Sequence, residues 1–268
     1  MKIHFISGLP RSGSTLLEAI LRQNPCFHAA ISTSLADLFA GLVRSMSGFN
    51  DGSIFITDAQ RKRILRSVVE AYYAGISENR VIVDTNRNWT AFLPALTELF
   101  PDARVICCVR NPAWILDSIE RHVQRNSLGA ARMFNFEARG NVYTRVETLM
   151  GKEGFVRRAL GNLRQAWFGE DANRLIAIPY ESLTQRPSET MAALYTALGE
   201  RDFGHNFDHV EYEEPQFDAN MGLPGFHSVR GPIVHTVRET ILPPDLFRQY
   251  DQCFWSEPGQ NPRGVRIL

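Results

Sequence analysis

The chain has 268 residues, and its 29 lysines and arginines balance 29 aspartates and glutamates. That length buries one large α/β core, and zero net charge removes general steering toward nucleic acid or an anionic membrane. No apolar run approaches the roughly eighteen residues of a membrane helix, and the opening MKIHFIS is too short and mixed for a signal peptide, so a soluble, cytoplasmic protein is expected.

In chain order, residues 2–7 have strand composition and run into a tight turn, GLPRSG, at 8–13. From Thr15 the period changes: Leu16, Leu17, Ile20 and Leu21 form a helical stripe that stops before Asn24-Pro25. Residues 35–75 also read as mostly helical. VIVD (81–84) and RVICCV (104–109) are short apolar runs of the kind found in buried parallel strands, with a helical pattern between them at 89–100.

Asn111-Pro112 predicts a capped helix start, with Ile115, Leu116 and Ile119 turned inward. Residues 127–170 read as helical, with Phe155, Val156, Ala159, Leu160, Leu163 and Trp167 on one stripe. LIAIP (175–179) is a fourth strand, and Pro187-Ser188 opens a helix that Gly199 closes. Residues 200–235 lack a period and read as loop. Strands alternating with helices predict one α/β domain over 1–268, a central parallel sheet flanked by helices, opening on a P-loop-like strand–loop–helix. The cysteines, Cys26, Cys107, Cys108 and Cys253, are expected as small buried hydrophobes in a reducing compartment.

The chemistry concentrates in ISGLPRSGSTLL, 6–17. A glycine turn between strand and helix aims backbone N–H groups and the helix's positive end at one spot, which is an anion site. Pro10, Arg11, Ser12, Gly13, Ser14 and Thr15 build it, with donors from two hydroxyls and a guanidinium. The lysine that a nucleoside triphosphate requires is missing, Ser14 stands there instead, and no acidic partner for a metal is evident. A mere tight turn is the plain alternative. Further on, Arg110 ends the third strand, where open α/β sheets bind ligands, and Ser118 lies about two helical turns later. Taken alone, both would be ordinary surface residues.

Together, GLPRSGSTL and RNPAWILDS resemble the two nucleotide motifs of the sulfotransferases that use 3′-phosphoadenosine 5′-phosphosulfate. The resemblance is closest to the bacterial and tyrosylprotein branches. It implies that the loop cradles the 5′-phosphosulfate and that Arg110 and Ser118 hold the 3′-phosphate. PYESLTQRP (179–187) is similar to a family segment that places Tyr180 near the donor, and HSVRGPI (227–233) to a late loop, with Arg230 as the basic residue closing over the nucleotide. Arg87, in DTNRNW (84–89), stands where the family carries a lysine facing the sulfonate. The implied donor is the phosphosulfate nucleotide, without metal, and the implied partner is a hydroxyl-bearing acceptor: a small molecule, a carbohydrate or a peptide tyrosine. No nucleic acid or membrane partner is expected, and a homodimer is left open.

Two departures touch the mechanism. The glutamate of the tyrosylprotein branch is absent from AAISTSLADLF, where Ser32 is nearest, and Trp89 occupies the place of the histidine used by the small-molecule branch. Arg11 and Arg87 are the expected catalytic cations. Asp84, His28 and His122 are the base candidates, each with a plainer reading: an ion pair with Arg87, a loop histidine, a solvated helix face. Trp89, Trp114, Phe134, Phe136, Tyr143 and Trp167 either line an acceptor pocket or fill the core. Arg121, Arg125, Arg132 and Arg139 read as a solvated basic face. A degenerate nucleotide kinase or triphosphatase and a non-catalytic nucleotide-binding protein are the competing functions.

Overall fold

The structure is a computed structural model that describes residues 1–48, 50–76, 80–126, 134 and 140–268. Six strands form one parallel sheet: β1 (Lys2–Ile6), β2 (Phe27–Ala30), β3 (Val81–Thr85), β4 (Val105–Val109), β5 (Leu175–Pro179) and β6 (Arg266–Ile267), in the order β2-β3-β1-β4-β5-β6. Helices α1 (Ser14–Leu21), α2 (Leu35–Ser45), α3 (Asp58–Tyr72), α4 (Leu93–Leu99), α5 (Pro112–Arg125), α6 (Val142–Met150) and α7 (Phe155–Phe168) fall between the first five strands. Between β5 and β6 follow α8 (Tyr180–Gln185), α9 (Pro187–Leu198), α10 (Pro215–Met221) and α11 (Pro244–Tyr250).

The strand runs look continuously apolar because both sheet faces are covered. Successive residues nevertheless alternate between two cores. Ile3, Phe5, Ile82, Val105 and Cys107 enter one, which takes in Phe39, Leu96, Ile115 and Trp167. Ile6, Val81, Val83, Ile106 and Cys108 enter the other, with Leu17, Ile20, Leu194 and Tyr195. Cys107 and Cys108 thus part company across β4. Cys26, by contrast, is exposed, which corrects its reading as a buried hydrophobe: it sits in the turn leading into edge strand β2.

The predicted punctuation is visible in the hydrogen bonds. The Asn111 side chain accepts from the Ala113 N–H at 2.9 Å with Pro112 at the first helical position, and Gly199 closes α9 in the left-handed region at φ 68°. Residues 200–235 are mostly irregular, but they contain α10 and a bridge between Tyr212 and Val229. Arg132, Phe136 and Arg139 lie outside the described residues. No helix among the described residues is long and apolar enough to cross a membrane.

Candidate active site

The strand order reverses at β1, so the segments leaving β1, β3 and β4 converge at the carboxyl edge of the sheet, where such folds bind ligands. Ser7 couples two of them: its hydroxyl donates to the Arg87 carbonyl at 3.0 Å and accepts from the Thr90 N–H at 3.0 Å. In the loop from β1 to α1, Arg11 (φ 57°) and Gly13 (φ 98°) both take left-handed backbone. Arg11 does so despite its Cβ, in a region uncommon for non-glycine residues. The Leu17 N–H is the first in α1 to find a helical acceptor, Gly13 O at 2.9 Å, and no side chain caps the helix. The amides before it are left to a ligand or water.

A cavity of about 480 Å³ opens over this loop. Pro10, Arg11, Gly13, Ser14, Thr15, Arg87, Arg110, Ser118 and Tyr180 all line it, so most of the sequence-predicted site is brought together. Arg11 donates from Nε to the Ser118 hydroxyl at 3.2 Å and from Nη1 to the Phe226 carbonyl, and its guanidinium lies 4.4 Å from the Phe226 ring centre. Arg110 donates to the Arg11 carbonyl at 3.1 Å and stacks 4.0 Å from the Tyr180 ring centre, while its buried Nε has no partner among the described residues. Arg87 stacks on Phe155 at 5.2 Å.

Four arginines line the cavity, Arg238 being the fourth, and among the described residues no aspartate or glutamate does. Arg238 is tied to the buried Asp117 at 2.7 Å. Burial, and then the Arg110 charge, pulls Arg11 down to about 10; burial also lowers Arg87 and Arg110. Desolvated cations crowded without carboxylates call for an anionic ligand.

Three expected residues stand elsewhere. The Ser12 hydroxyl lies within bonding distance of the Leu9 and Cys108 carbonyls (2.5 and 2.7 Å) and holds the loop to β4 instead of facing the cavity. Arg230 points outward, three-quarters exposed and paired with Glu213 at 2.6 Å, although its neighbours Val229 and Gly231 line the cavity. Asp84 is buried behind the cavity and accepts from Thr33 (2.6 Å), Trp89 (2.6 Å) and Tyr73; burial raises its pKa and these bonds oppose the rise. It makes no ion pair with Arg87. His28 lines a different cavity beside β2, and His122 packs edge-on against Phe226 at 5.1 Å. Trp89, Phe134 and Trp167 are core, Tyr143 is exposed, and Trp114 packs on Phe247.

The sequence reading missed Arg238, Phe226 and, above all, His227. This histidine lines the cavity with Nδ1 2.6 Å from Oδ1 of the buried Asp218. Its backbone N–H donates to Oδ2 of the same carboxylate at 2.9 Å.

The sulfotransferase family model matches residues 4–203, about three-quarters of the chain. The chain belongs to the sulfotransferase family. Two solved sulfotransferases share its fold. One is the sulfotransferase domain from the Synechococcus PCC 7002 olefin synthase, at 19% identity and TM-score 0.51, over 99% of this chain and 90% of that one. The other is a sulfotransferase from Alicyclobacillus acidocaldarius, at 15% identity and TM-score 0.52, over 82% and 89%. No curated protein is a significant match. In this sulfotransferase, Asp218, Phe226, His227 and Arg238 all fall beyond the matched span.

Proposed function

We propose that this sulfotransferase moves a sulfonate group from 3′-phosphoadenosine 5′-phosphosulfate to a hydroxyl acceptor by in-line displacement. The observation that carries the proposal is the cavity itself: a glycine loop, an uncapped helix start and four arginines, with no lining carboxylate among the described residues. The donor carries two anionic groups, and the cavity offers two sets of donors that meet where Arg11 Nε donates to the Ser118 hydroxyl. The loop amides with Arg11, Ser14 and Thr15 suit the phosphosulfate. Arg110, whose buried Nε has no partner among the described residues, suits the 3′-phosphate together with Ser118. Tyr180, packed on Arg110, suits the nucleotide side.

Charge builds on the leaving phosphate oxygen as the sulfonate departs. Arg11 and the loop amides are placed to stabilise it, and Arg87 to hold the sulfonate oxygens. Removing one such donor typically costs on the order of 3 kcal/mol in the barrier. Phe155, Met221 and Phe226 give the cavity an apolar side against which an acceptor can lie. We place the enzyme in the cytoplasm, consistent with its free thiols.

Calorimetric titration of adenosine 3′,5′-bisphosphate, beside ADP and ATP with Mg²⁺, tests the donor. Metal-independent micromolar binding of the bisphosphate alone is expected. Preference for ATP with Mg²⁺ would replace the reading by a kinase or triphosphatase. Donor binding without turnover over a broad acceptor panel would favour a non-catalytic role.

A further inference from the structure

We infer that His227, held in place by Asp218, is the general base that removes the proton from the acceptor hydroxyl. The inference rests on the sulfotransferase reading above and supplies a group which that reading lacks. Among the described residues, His227 is the only imidazole lining the cavity, and no carboxylate lines it. The three base candidates from the sequence all stand elsewhere: Asp84 is saturated by three donors, His28 faces another cavity, and His122 is outside the lining.

The local fold makes the pair. Gly222, at φ 69°, ends α10, and the Leu223 N–H returns to the Asp218 carbonyl at 2.9 Å. The chain then doubles back so that one carboxylate holds both the backbone and the ring of His227. The rings of Phe217 and Phe226 flank the imidazole, each with centroids 5.1 Å away. An ionised carboxylate only accepts hydrogen bonds, so Nδ1 carries the proton and Nε2 keeps its lone pair. Nε2 has no protein partner among the described residues, and it is the atom left to an acceptor.

The position suits the chemistry as well. The Phe226 carbonyl takes a hydrogen bond from Arg11, so the loop arginine is anchored to the residue that directly precedes the base. The groups facing the ring are Asp218, which raises its pKa, and Arg11 and Arg87, which lower it. With burial as the largest cause, the net effect is a pKa below the ordinary value. His227 is therefore neutral at neutral pH and able to accept a proton. In the step, the acceptor O–H bond breaks and its proton goes to Nε2. The oxygen forms the new O–S bond, and the old S–O bond breaks with its electron pair remaining on the 5′-phosphate oxygen. Asp218 touches neither reactant and is a positioning residue.

The test uses 3′-phosphoadenosine 5′-phosphosulfate without any acceptor, so that water stands in the acceptor's place, with enzyme in excess and nucleotide products followed by chromatography. Wild type should show a rate that falls as pH drops through a value below about 6.5, where the imidazole takes up its proton. His227→Gln should lose about 10²–10⁴-fold and lose that limb, while binding adenosine 3′,5′-bisphosphate within about threefold of wild type. Asp218→Asn should move the limb to lower pH, since removing the carboxylate destabilises the imidazolium. A purely structural role would leave the limb in place. Independently of turnover, ¹⁵N spectra at about pH 7.5 should show Nδ1 protonated and Nε2 bare.

An Nε2-protonated tautomer, or a His227→Gln variant that keeps the wild-type rate and limb, overturns the assignment. Loss of rate together with loss of bisphosphate affinity would make His227 a binding residue and overturn it too. Failure of wild type to bind the bisphosphate is a different result: it removes the donor reading, while the tautomer still reports on the dyad.

Discussion

Thr33, Tyr73 and Trp89 all donate to the carboxylate of Asp84, which has no exposed surface. Such a network is strong when every member is satisfied, and one change leaves several groups stranded. Asp84→Asn turns an amide donor toward groups that themselves donate. It should lower unfolding free energy by about 3 kcal/mol in urea denaturation while leaving bisphosphate affinity within about threefold. Near wild-type stability with turnover lost would return Asp84 to the chemistry. Two residues bearing the same kind of group thus take opposite parts: Asp84 is consumed by the core, and Asp218 by the orientation of a ring that faces the cavity. Nothing in the local sequence distinguishes them. Asp84 lies within a strand run and near Arg87, which suggested a site, whereas Asp218 sits in a stretch without period. The partners that decide come from residue 33 and residue 73 in one case, and from a turn closing over nine positions in the other.

At the scale of elements, the strands over 2–7, 81–84, 104–109 and 175–179 were legible because burial on both faces demands continuous apolar runs. The edges were not. Phe27–Ala30 and Arg266–Ile267 are only four and two residues long, too short to show a pattern, and β3 and β5 give them their backbone partners. The loop into α1 was legible for another reason, since what it offers is local: a glycine turn and the uncapped backbone amides that follow it. That gives Gly13 a sharp constraint. Its φ of 98° disfavours any side chain, and an added Cβ would lie 3.2 Å from the Tyr180 ring. Gly13→Ala is expected to tilt the start of α1 or shift Tyr180, costing about 1–3 kcal/mol of donor affinity. That corresponds to roughly 5- to 150-fold in the dissociation constant for adenosine 3′,5′-bisphosphate, read by calorimetry. Unchanged affinity would mean that neither the loop nor Tyr180 contacts the nucleotide.

Over the whole molecule, equal numbers of acidic and basic residues conceal an uneven placement. Carboxylates such as Glu213 and the buried Asp117 pair with arginines around the cavity, while Arg11, Arg87 and Arg110 face it without an acidic partner among the described residues. Composition cannot show this, because it reports the sum and not the arrangement. The paired motifs around Arg11 and Arg110 did show it, since each fixes a cation at the end of a strand. Arg238 and His227 escaped because they arrive on the irregular return of the chain, with no period or motif to mark them. The central claim is that this focused charge reads a nucleotide bearing a 3′-phosphate, and Arg110→Ala tests it most directly. The variant should weaken binding of adenosine 3′,5′-bisphosphate by about a hundredfold, the loss of a charge-assisted contact, and barely change binding of adenosine 5′-phosphosulfate, which lacks the 3′-phosphate. Equal losses for both nucleotides, or none for either, would contradict the donor assignment.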